Sequence, residues 1–547
     1  MVRIIRTSLL IGVAAIIAAA PAHAQDQGGS SAQGSGPSVT VQPYIEVSQI
    51  LSAELRPGDD VLTYTQVAAG VDVAAIGRNN GATVSVRYER NIGYGASDDI
   101  DSDTLSGIAR GYLSIVPRAV TLEAGALASR SRIDPGGGAT SNPLVADNSE
   151  SQIYSGFIGP NVATRVGVLD VTGVARVGYT RIEAPDAIVT PAGTVADVFD
   201  ESVTYNTELR VGTQPGELLP VGIGLGGGFF QEDISTLDQR VRDAHIRGDV
   251  TVPVTSALAF VGGIGYEDVE ISSRDAVRDI NGDPVIGADG RLVTDGSSPR
   301  TLAFDVDGLI WDVGVLWRPS SRTSLSATVG ERFDSTTYYG SFTFVPNSRS
   351  QLNISAYDGV SGFGGVLNNS LSGLPTEFDA LRNSLTGDFA GCVGGDNGAS
   401  CVTALGSVRS AAFRGRGVQA SYQRRIGQFN AAIAAGYDRR RFIAAAGTAL
   451  APADGILDEN YFLVGSLDRN VGQSGNLSTT AYANFFQSGS ADGTGDVNAY
   501  GASAAYTRSI GSRLSARAAI AVDYFDTDFS ADDIAFATAL LGLRYDF

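Results

Sequence analysis

The chain has 547 residues, with 68 Gly, 2 Cys and 18% charged residues, and its mean hydropathy is +0.05. This value is too low for a bundle of transmembrane helices and too high for a typical polar secreted enzyme, but it suits strands whose residues alternate between lipid and a wet interior. The formal charge of −20 at pH 7 argues against nucleic acid as a partner.

Residues 1–24 have the composition of an export signal. Arg3 and Arg6 precede an apolar run over residues 9–20, and Ala22-His23-Ala24 fits a cleavage site. The run is too short to span a bilayer, so we expect an exported chain that starts at Gln25 and is not held by a transmembrane helix. Residues 25–38 are rich in Gly, Ser and Gln and are expected to be disordered in the periplasm.

The C-terminal residues carry a clear strand pattern. Every second residue from Ala535 to Phe547 is apolar or aromatic, which is the period of a strand with one face in an apolar environment. The end of the chain, from Gly542 through Tyr545 to Phe547, resembles the C-terminal signal read by the barrel-assembly machinery of the outer membrane. The resemblance implies that these three residues are the assembly signal. The alternative for this pattern alone is the last strand of a soluble β-domain.

The connections between strand-like segments indicate a closed barrel. About 22 such segments fill residues 39–547, and short turns alternate with long polar connections such as 184–202 and 272–300. Short periplasmic turns and long extracellular loops are typical of outer-membrane barrels. We therefore predict an all-β protein with a single closed antiparallel transmembrane β-barrel and both termini in the periplasm of a Gram-negative cell. The short connection 334–336 is the exception, and 359–411 is the longest loop and the candidate plug.

The polar face of each strand should line the lumen, because a charge at the lipid midplane costs about 2–4 kcal/mol. These residues either form cross-strand ion pairs that rigidify the wall or form a charge ladder that guides a solute. The predicted lumen residues are Arg87, Glu89, Arg176, Glu208, Arg210, Asp243, His245, Arg247, Gln419, Gln423, Arg517 and Asp523. The aromatic residues expected at the membrane interfaces are Trp311, Trp317, Tyr338, Phe342, Tyr461, Tyr482 and Tyr500.

Few residues suggest catalysis or a cofactor. His245 is the only histidine after the signal, so a Ser-His-Asp hydrolase is hard to assemble although Asp243 shares its face. We expect no enzyme activity, and Gly224 to Gly228 lack the helix that a phosphate loop needs. Cys392 and Cys401 are expected to form a disulfide within one loop. No cofactor is predicted; weak candidates for Ca²⁺ in acidic outer loops are Asp98, Asp99, Asp101, Asp103, Asp279, Asn281 and Asp283.

One stretch carries a family resemblance. Trp311 and Trp317 are followed by Arg318-Pro319-Ser-Ser-Arg322, then by Gly330-Glu-Arg-Phe and a Tyr-rich strand. This stretch resembles the central hairpins of outer-membrane barrels found with exosortase-type exopolysaccharide systems. The close match covers residues 311–352. The resemblance implies a role in polysaccharide or surface-protein export with export components as partners, and it implies no catalytic residues.

Two functional hypotheses remain open from the sequence. The first is a channel or export conduit, since a barrel of about 22 strands encloses a lumen wide enough to need plugging. Energy-coupled transporters of this size have an N-terminal plug domain, for which 25–38 is too short, so residues 359–411 or a partner would serve. The second is a structural or interaction barrel whose acidic loops bind polysaccharide or lipopolysaccharide through bridging cations. The expected partners common to both are outer-membrane lipid, lipopolysaccharide and the assembly machinery.

Overall fold

The computed structural model describes residues 37–94, 102–133, 139–140, 150–183, 198–288, 290–383, 385–387, 389–394, 400–402, 408–489, 495–528 and 533–547. The predicted signal sequence and the segment expected to be disordered lie outside the described residues, apart from Pro37 and Ser38. Among the described residues, no helix has the length and apolar content needed to cross a bilayer.

The chain from Ser38 forms one closed antiparallel barrel of 22 strands, as predicted. Each strand pairs with its neighbours in the chain, and the first pairs with the last, from Tyr44 opposite Asp546 to Arg56 opposite Ala535. Closure leaves no unpaired strand edge in lipid, which is what a bilayer requires of a sheet. The strands are β1 (Ser38–Arg56), β2 (Val61–Ile76), β3 (Asn80–Gly93), β4 (Ser102–Val116), β5 (Val120–Ile133), β6 (Glu150–Val166), β7 (Leu169–Glu183), β8 (Glu201–Gly212), β9 (Gly222–Ile234), β10 (Gln239–Pro253), β11 (Leu258–Ser273), β12 (Thr301–Ser320), β13 (Thr323–Arg332), β14 (Ser335–Asn347), β15 (Ser350–Ser361), β16 (Phe413–Ile426), β17 (Phe429–Phe442), β18 (Leu457–Val471), β19 (Gly475–Gln487), β20 (Val497–Ser509), β21 (Leu514–Thr527) and β22 (Ile534–Asp546).

The connections sort by length between the two ends. Those at the end that holds both termini are short, and the longest of them is 213–221; we call this the periplasmic end and the other the outer end. The turn between β13 and β14 is the short connection at the outer end, as the sequence indicates. Phe333 and Asp334 form it with φ of 56° and 54°, which suits a two-residue hairpin turn.

Smaller elements occupy the outer connections. The helix α1 (Phe363–Ser372) and a three-stranded sheet (Asp379–Arg382, Phe389–Gly394 and Ser400–Cys401) both lie between β15 and β16. Single 3₁₀ turns cover Thr236–Asp238 and Ala451–Ala453, and Ala139–Thr140 forms a short strand beside β5.

The outer face of the barrel presents an apolar band between two aromatic girdles. Val313, Ile520 and Leu541 are 52%, 64% and 69% exposed, as expected for side chains that meet lipid. Towards the outer end, one girdle crosses β17 to β21 through Tyr437, Tyr461, Phe485, Tyr500 and Tyr524, with the closest ring centroids 4.8 Å apart. The periplasmic girdle includes Trp317, Phe344, Tyr422, Tyr506 and Tyr545. The two tryptophans therefore mark the two interfaces, since Trp311 lies towards the outer end of the strand that holds Trp317.

Several inward glycines let a long side chain cross a strand. Tyr482 of β19 passes over Gly501 of β20 and donates a hydrogen bond of 2.9 Å to Asp523 of β21. Tyr357 of β15 reaches Asp438 of β17 over Gly417 in the same way. The expectation that Tyr482 anchors the barrel at the membrane interface is therefore wrong. A Cβ on the intervening residue would occupy the space of the ring. The glycine therefore allows the tyrosine ring to lie on the inner face of the neighbouring strand.

Candidate functional site

The connection between β15 and β16 folds into the outer half of the barrel. The helix α1 contacts strands β5 to β8 and β15. Its buried residues Phe363, Leu367 and Leu371 recur every four positions, so they form one helical stripe. This stripe shares a core with Ile153 and Ile182 of the wall. The helix is thus held by the wall, and we call the segment from Gly362 to Ala411, in which it lies, the inner segment.

The N-terminal end of α1 is fixed by one carboxylate. Glu232 of β9 is fully buried. It accepts hydrogen bonds from the backbone N–H groups of Gly362 at 2.7 Å and Gly365 at 3.0 Å. The hydroxyls of Ser202 and Ser361 donate to the same carboxylate at 2.9 and 3.0 Å. A negative group at this end satisfies N–H groups that have no partner inside the helix and complements its dipole.

The C-terminal end of α1 is fixed by arginines. Arg110 of β4 donates from Nη2 to the carbonyl oxygens of Ser372 at 2.9 Å and Leu374 at 3.3 Å. Arg176 of β7 donates to the Ser372 hydroxyl at 3.2 Å. Both guanidinium groups stack on the Phe157 ring, at 5.1 and 5.7 Å from its centroid. The wall therefore carries charges of the correct sign at each end of the helix.

A buried amide fixes the middle of α1. Asn368 donates from Nδ2 to the hydroxyls of Thr180 and Thr204 at 3.2 and 3.4 Å, and Ser155 donates to its Oδ1 at 3.4 Å. Gly178 leaves the room for this contact, because a Cβ there would lie 2.6 Å from the amide. These hydrogen bonds fix the rotation of the helix about its own axis as well as its position.

The rest of the inner segment reaches the other walls. Arg382 donates to Ser85 and Ser106 at 2.9 and 3.3 Å. Leu385 is buried in a core with Ile50 of β1 and residues of β20 to β22. Arg409 pairs with Asp458 of β18 at 2.9 Å. The inner segment thus spans the lumen from one side to the other.

The loop sheet also brings the two cysteines into register. Cys392 is disulfide-bonded, its partner across the sheet is Cys401, and no cysteine among the described residues is free. We expect replacement of both by serine to destabilise the fold of residues 379–402 locally by about 2 kcal/mol. Trypsin cleavage at Arg382 should become several-fold faster while the heat-modifiable gel mobility of the barrel stays unchanged. Equal cleavage rates would contradict a stabilising role.

One group of predicted lumen residues forms an ion network beneath the inner segment. Arg87 pairs with Glu46 at 2.9 Å and Glu89 at 3.3 Å, and all three are buried. Arg130 adds a bond of 3.1 Å to Glu89, and Arg517 lies 3.8 Å from Glu46. The network joins β1, β3, β5 and β21, so these charges stiffen the wall across strands.

A second group forms a row of alternating charge across β8 to β12. Arg210 reaches Asp249 two strands away, with two bonds of 3.0 and 2.6 Å, by crossing β9 at Gly224. Arg247 reaches Asp312 with bonds of 2.6 and 2.7 Å by crossing β11 at Gly263. Arg247 also bonds to Asp249 at 3.3 Å, which links the two pairs. Gly224 and Gly263 therefore have a structural role, because they leave room for the side chains of Arg210 and Arg247 to cross a strand.

His245 belongs to the same wall. Its Nδ1 lies 3.4 Å from Asp243, and Arg332 donates to Asp243 at 2.9 Å and to Glu267 at 2.8 Å. His245 and Arg332 line a cavity of about 270 Å³ with Tyr339. The aspartate next to His245 is thus engaged by an arginine, as in a structural ion pair.

The remaining predicted residues differ in environment. Asp523 is buried under Tyr482, and Gln419 lines a small cavity with Ser355 and Ser421. Gln423 lies on the same strand nearer the periplasmic end. Glu208 is exposed and makes no ion pair with any described residue.

The described acidic candidates of the outer loops bond to neighbouring protein groups. Asp279 accepts hydrogen bonds from the backbone N–H groups of Asp283 and Asn281, and these donors lower its pKa below the usual value. Asp103 pairs with Arg90 at 3.3 Å. Asp98, Asp99 and Asp101 lie outside the described residues. Within the described part of the chain, no group of three His, Cys, Asp or Glu side chains is arranged to hold a metal.

Towards the periplasm the lumen has a mixed lining of polar and apolar side chains. A cavity of about 330 Å³ separates Arg382 and Asn383 of the inner segment from the wall of β17 to β21. The wall here carries hydroxyl and carboxylate groups from Ser466, Ser478, Thr480, Tyr482, Ser503 and Asp523. We call this space the chamber.

Comparisons with known proteins give only distant structural similarities. No protein-family model and no curated protein matches the chain. It is similar to the FrpB iron transporter of Neisseria meningitidis in its apoprotein form (10% identity, TM-score 0.42, covering 92% of this chain and 81% of that one). It is also similar to the ferric-catecholate import receptor Fiu of E. coli K12 (11%, 0.44, 92% and 81%) and to the copper transporter OprC (11%, 0.40, 94% and 82%). These distant similarities assign no cargo.

Proposed function

We propose that the protein is a gated, non-enzymatic conduit of the Gram-negative outer membrane, closed at rest by the inner segment. The observation that supports this most is the docking of α1 and the loop sheet across the outer half of the lumen. The lumen-facing side of β8 is more buried in the outer half of the barrel than in the periplasmic half. Ser202 and Thr204 are buried near the outer end, while Glu208 is exposed nearer the periplasm. A solute in the chamber meets the inner segment before it can leave the cell.

The class of cargo follows from the chamber and from the family resemblance. The hydroxyl groups of Ser466, Ser478, Thr480 and Ser503 suit a polar polymer that exchanges hydrogen bonds with water for hydrogen bonds with the wall. Because the hairpins at residues 311–352 resemble those of barrels found with exopolysaccharide systems, we propose export of polysaccharide or surface protein as the process. We also propose that the barrel-assembly machinery reads Gly542, Tyr545 and Phe547; the two rings face outward and meet edge to edge at 5.2 Å.

Planar-bilayer recordings test the gate. Ser361 and Phe413 pair directly at the end of β15 and β16, so residues 362–412 can be replaced by a two-residue Asn-Gly turn without straining the barrel. We expect the wild-type protein to be closed for most of the time and the deletion variant to give a large, steady conductance.

A reversible lock provides the matched control. The double variant Asn368→Cys, Thr180→Cys should form a cross-link, because the side chains already contact each other. The cross-link is made in a Cys392→Ser, Cys401→Ser background, where the introduced pair is the only disulfide that reductant can break. Oxidation should abolish residual openings and reductant should restore them. A deletion variant that stays silent would contradict the conduit and favour a structural barrel that binds surface polysaccharide.

A further inference from the structure

Charge is segregated between the two ends of the barrel. The net charge is −20, and all 39 basic residues of the chain are arginine. Glu217 is the only acidic residue in the ten periplasmic turns, and it is paired with Arg165. Five exposed arginines at this end make no ion pair with a described residue, namely Arg78, Arg118, Arg424, Arg469 and Arg508. An acidic protein thus has a positive periplasmic rim.

Three of these arginines lie on the lipid side of the wall. Side chains two positions apart on a strand share a face, and each of three arginines follows an exposed, outward residue by two positions: Tyr422 and Arg424, Leu467 and Arg469, Tyr506 and Arg508. Aromatic girdles sit at the level of the lipid headgroups. The arginines therefore lie at headgroup depth or just beyond it, where lipid phosphates are found.

The outer girdle is chemically opposite. The indole N–H of Trp311 donates to Glu331 at 2.9 Å, and the hydroxyl of Tyr266 donates to Asp307 at 2.6 Å. The hydroxyl of Tyr179 likewise donates to Glu201 at 2.6 Å. Aromatic groups at this end are therefore capped by carboxylates, which repel anionic headgroups.

We propose that the periplasmic rim binds the phosphate groups of anionic phospholipids in the inner leaflet. A guanidinium group pairs bidentately with phosphate, and clustered basic residues beside a membrane concentrate anionic lipid. Peptidoglycan is the less favoured partner, because residues such as Arg424 and Arg508 lie on the lipid side of the wall. The charge difference between the two rims also opposes insertion in the inverted orientation.

The two tryptophans allow a direct test, since the chain has no others. In Trp311→Phe the remaining fluorophore is Trp317, on the hairpin that carries the exposed Arg318 and Arg322 at its periplasmic turn. Fluorescence quenching by brominated phosphatidylglycerol and brominated phosphatidylcholine in vesicles gives the relative affinity of the two lipids at this site. We expect at least about a threefold preference for the anionic lipid at low salt, falling towards one at high salt.

Two further variants make the result specific. Trp317→Phe reports from the acidic outer girdle through Trp311 and should show no preference for the anionic lipid. Arg318→Gln with Arg322→Gln, in the Trp311→Phe background, should remove the preference while heat-modifiable mobility confirms an intact barrel. Equal quenching by both lipids at Trp317 overturns the proposal. Arginine-dependent retention on purified peptidoglycan without a lipid preference would overturn it in favour of the cell wall.

Discussion

Replacement of Glu232 by alanine is expected to release α1 from the wall and to raise the open probability of the conduit by about 100-fold. The change removes the acceptor of four hydrogen bonds, two of them from backbone N–H groups at the start of the helix. Buried donors left without a partner cost about 1–3 kcal/mol each when water cannot reach them. Partial hydration of the released helix reduces the sum, so we expect about 3 kcal/mol in favour of the undocked state.

Single-channel recordings and trypsin together measure this effect. Arg382 and Arg409 are the arginines of the inner segment, and release should expose both to cleavage. Glu232→Gln keeps an acceptor but loses the charge, so its effect should be intermediate. Glu208→Ala is the matched control, because Glu208 also faces inward and makes no ion pair with a described residue. If Glu232→Ala and Glu208→Ala behave alike, the carboxylate does not hold the helix.

Replacement of Gly263 by valine is expected to destabilise the barrel by about 2–3 kcal/mol. A Cβ at this position would lie 2.3 Å from Nε and Nη2 of Arg247, so the guanidinium has to leave Asp312. The loss combines overpacking with a partly buried carboxylate that keeps no bidentate partner. Valine is otherwise a favourable strand residue. A loss of stability would therefore come from displacement of the Arg247 side chain that crosses Gly263.

Urea unfolding followed by heat-modifiable gel mobility measures the difference. Gly308→Val is the control, because a Cβ at Gly308 of β12 meets no atom within 4 Å and the change should stay within about 0.5 kcal/mol. Arg247→Ala should cost a similar amount to Gly263→Val, and the double variant should cost much less than their sum, since both remove one interaction. Simple additivity would show that the glycine acts in another way.

The barrel was predictable because its signals are local. Alternation along a strand and the length of a turn are both contained in short stretches, such as 533–547 or the turn at 510–513. The charged residues of the polar faces, such as Arg87 and Arg247, could be assigned to the interior for the same reason. Their partners could not be named, since a partner two strands away depends on the register of three strands.

The inner segment was predicted as a candidate plug but not as a helix. The spacing of Phe363, Leu367 and Leu371 is a helical signal that the many small residues around it obscured. Glu232 gave no signal at all, because it is separated from Gly362 by 130 residues. Tyr482 was assigned to the wrong face for a related reason: only the position of Gly501 beside it reveals that its ring crosses the inner wall.

The inner segment is continuous with β15 at one end and β16 at the other. A stopper attached by both ends cannot be lost to the medium when it is displaced, and its return needs no encounter with a second molecule. Short flexible tethers keep a ligand at an effective concentration of about a millimolar, so reclosure follows as soon as the opening force ends. A cell that makes such a barrier therefore risks only brief leaks through it, whatever the abundance of the protein.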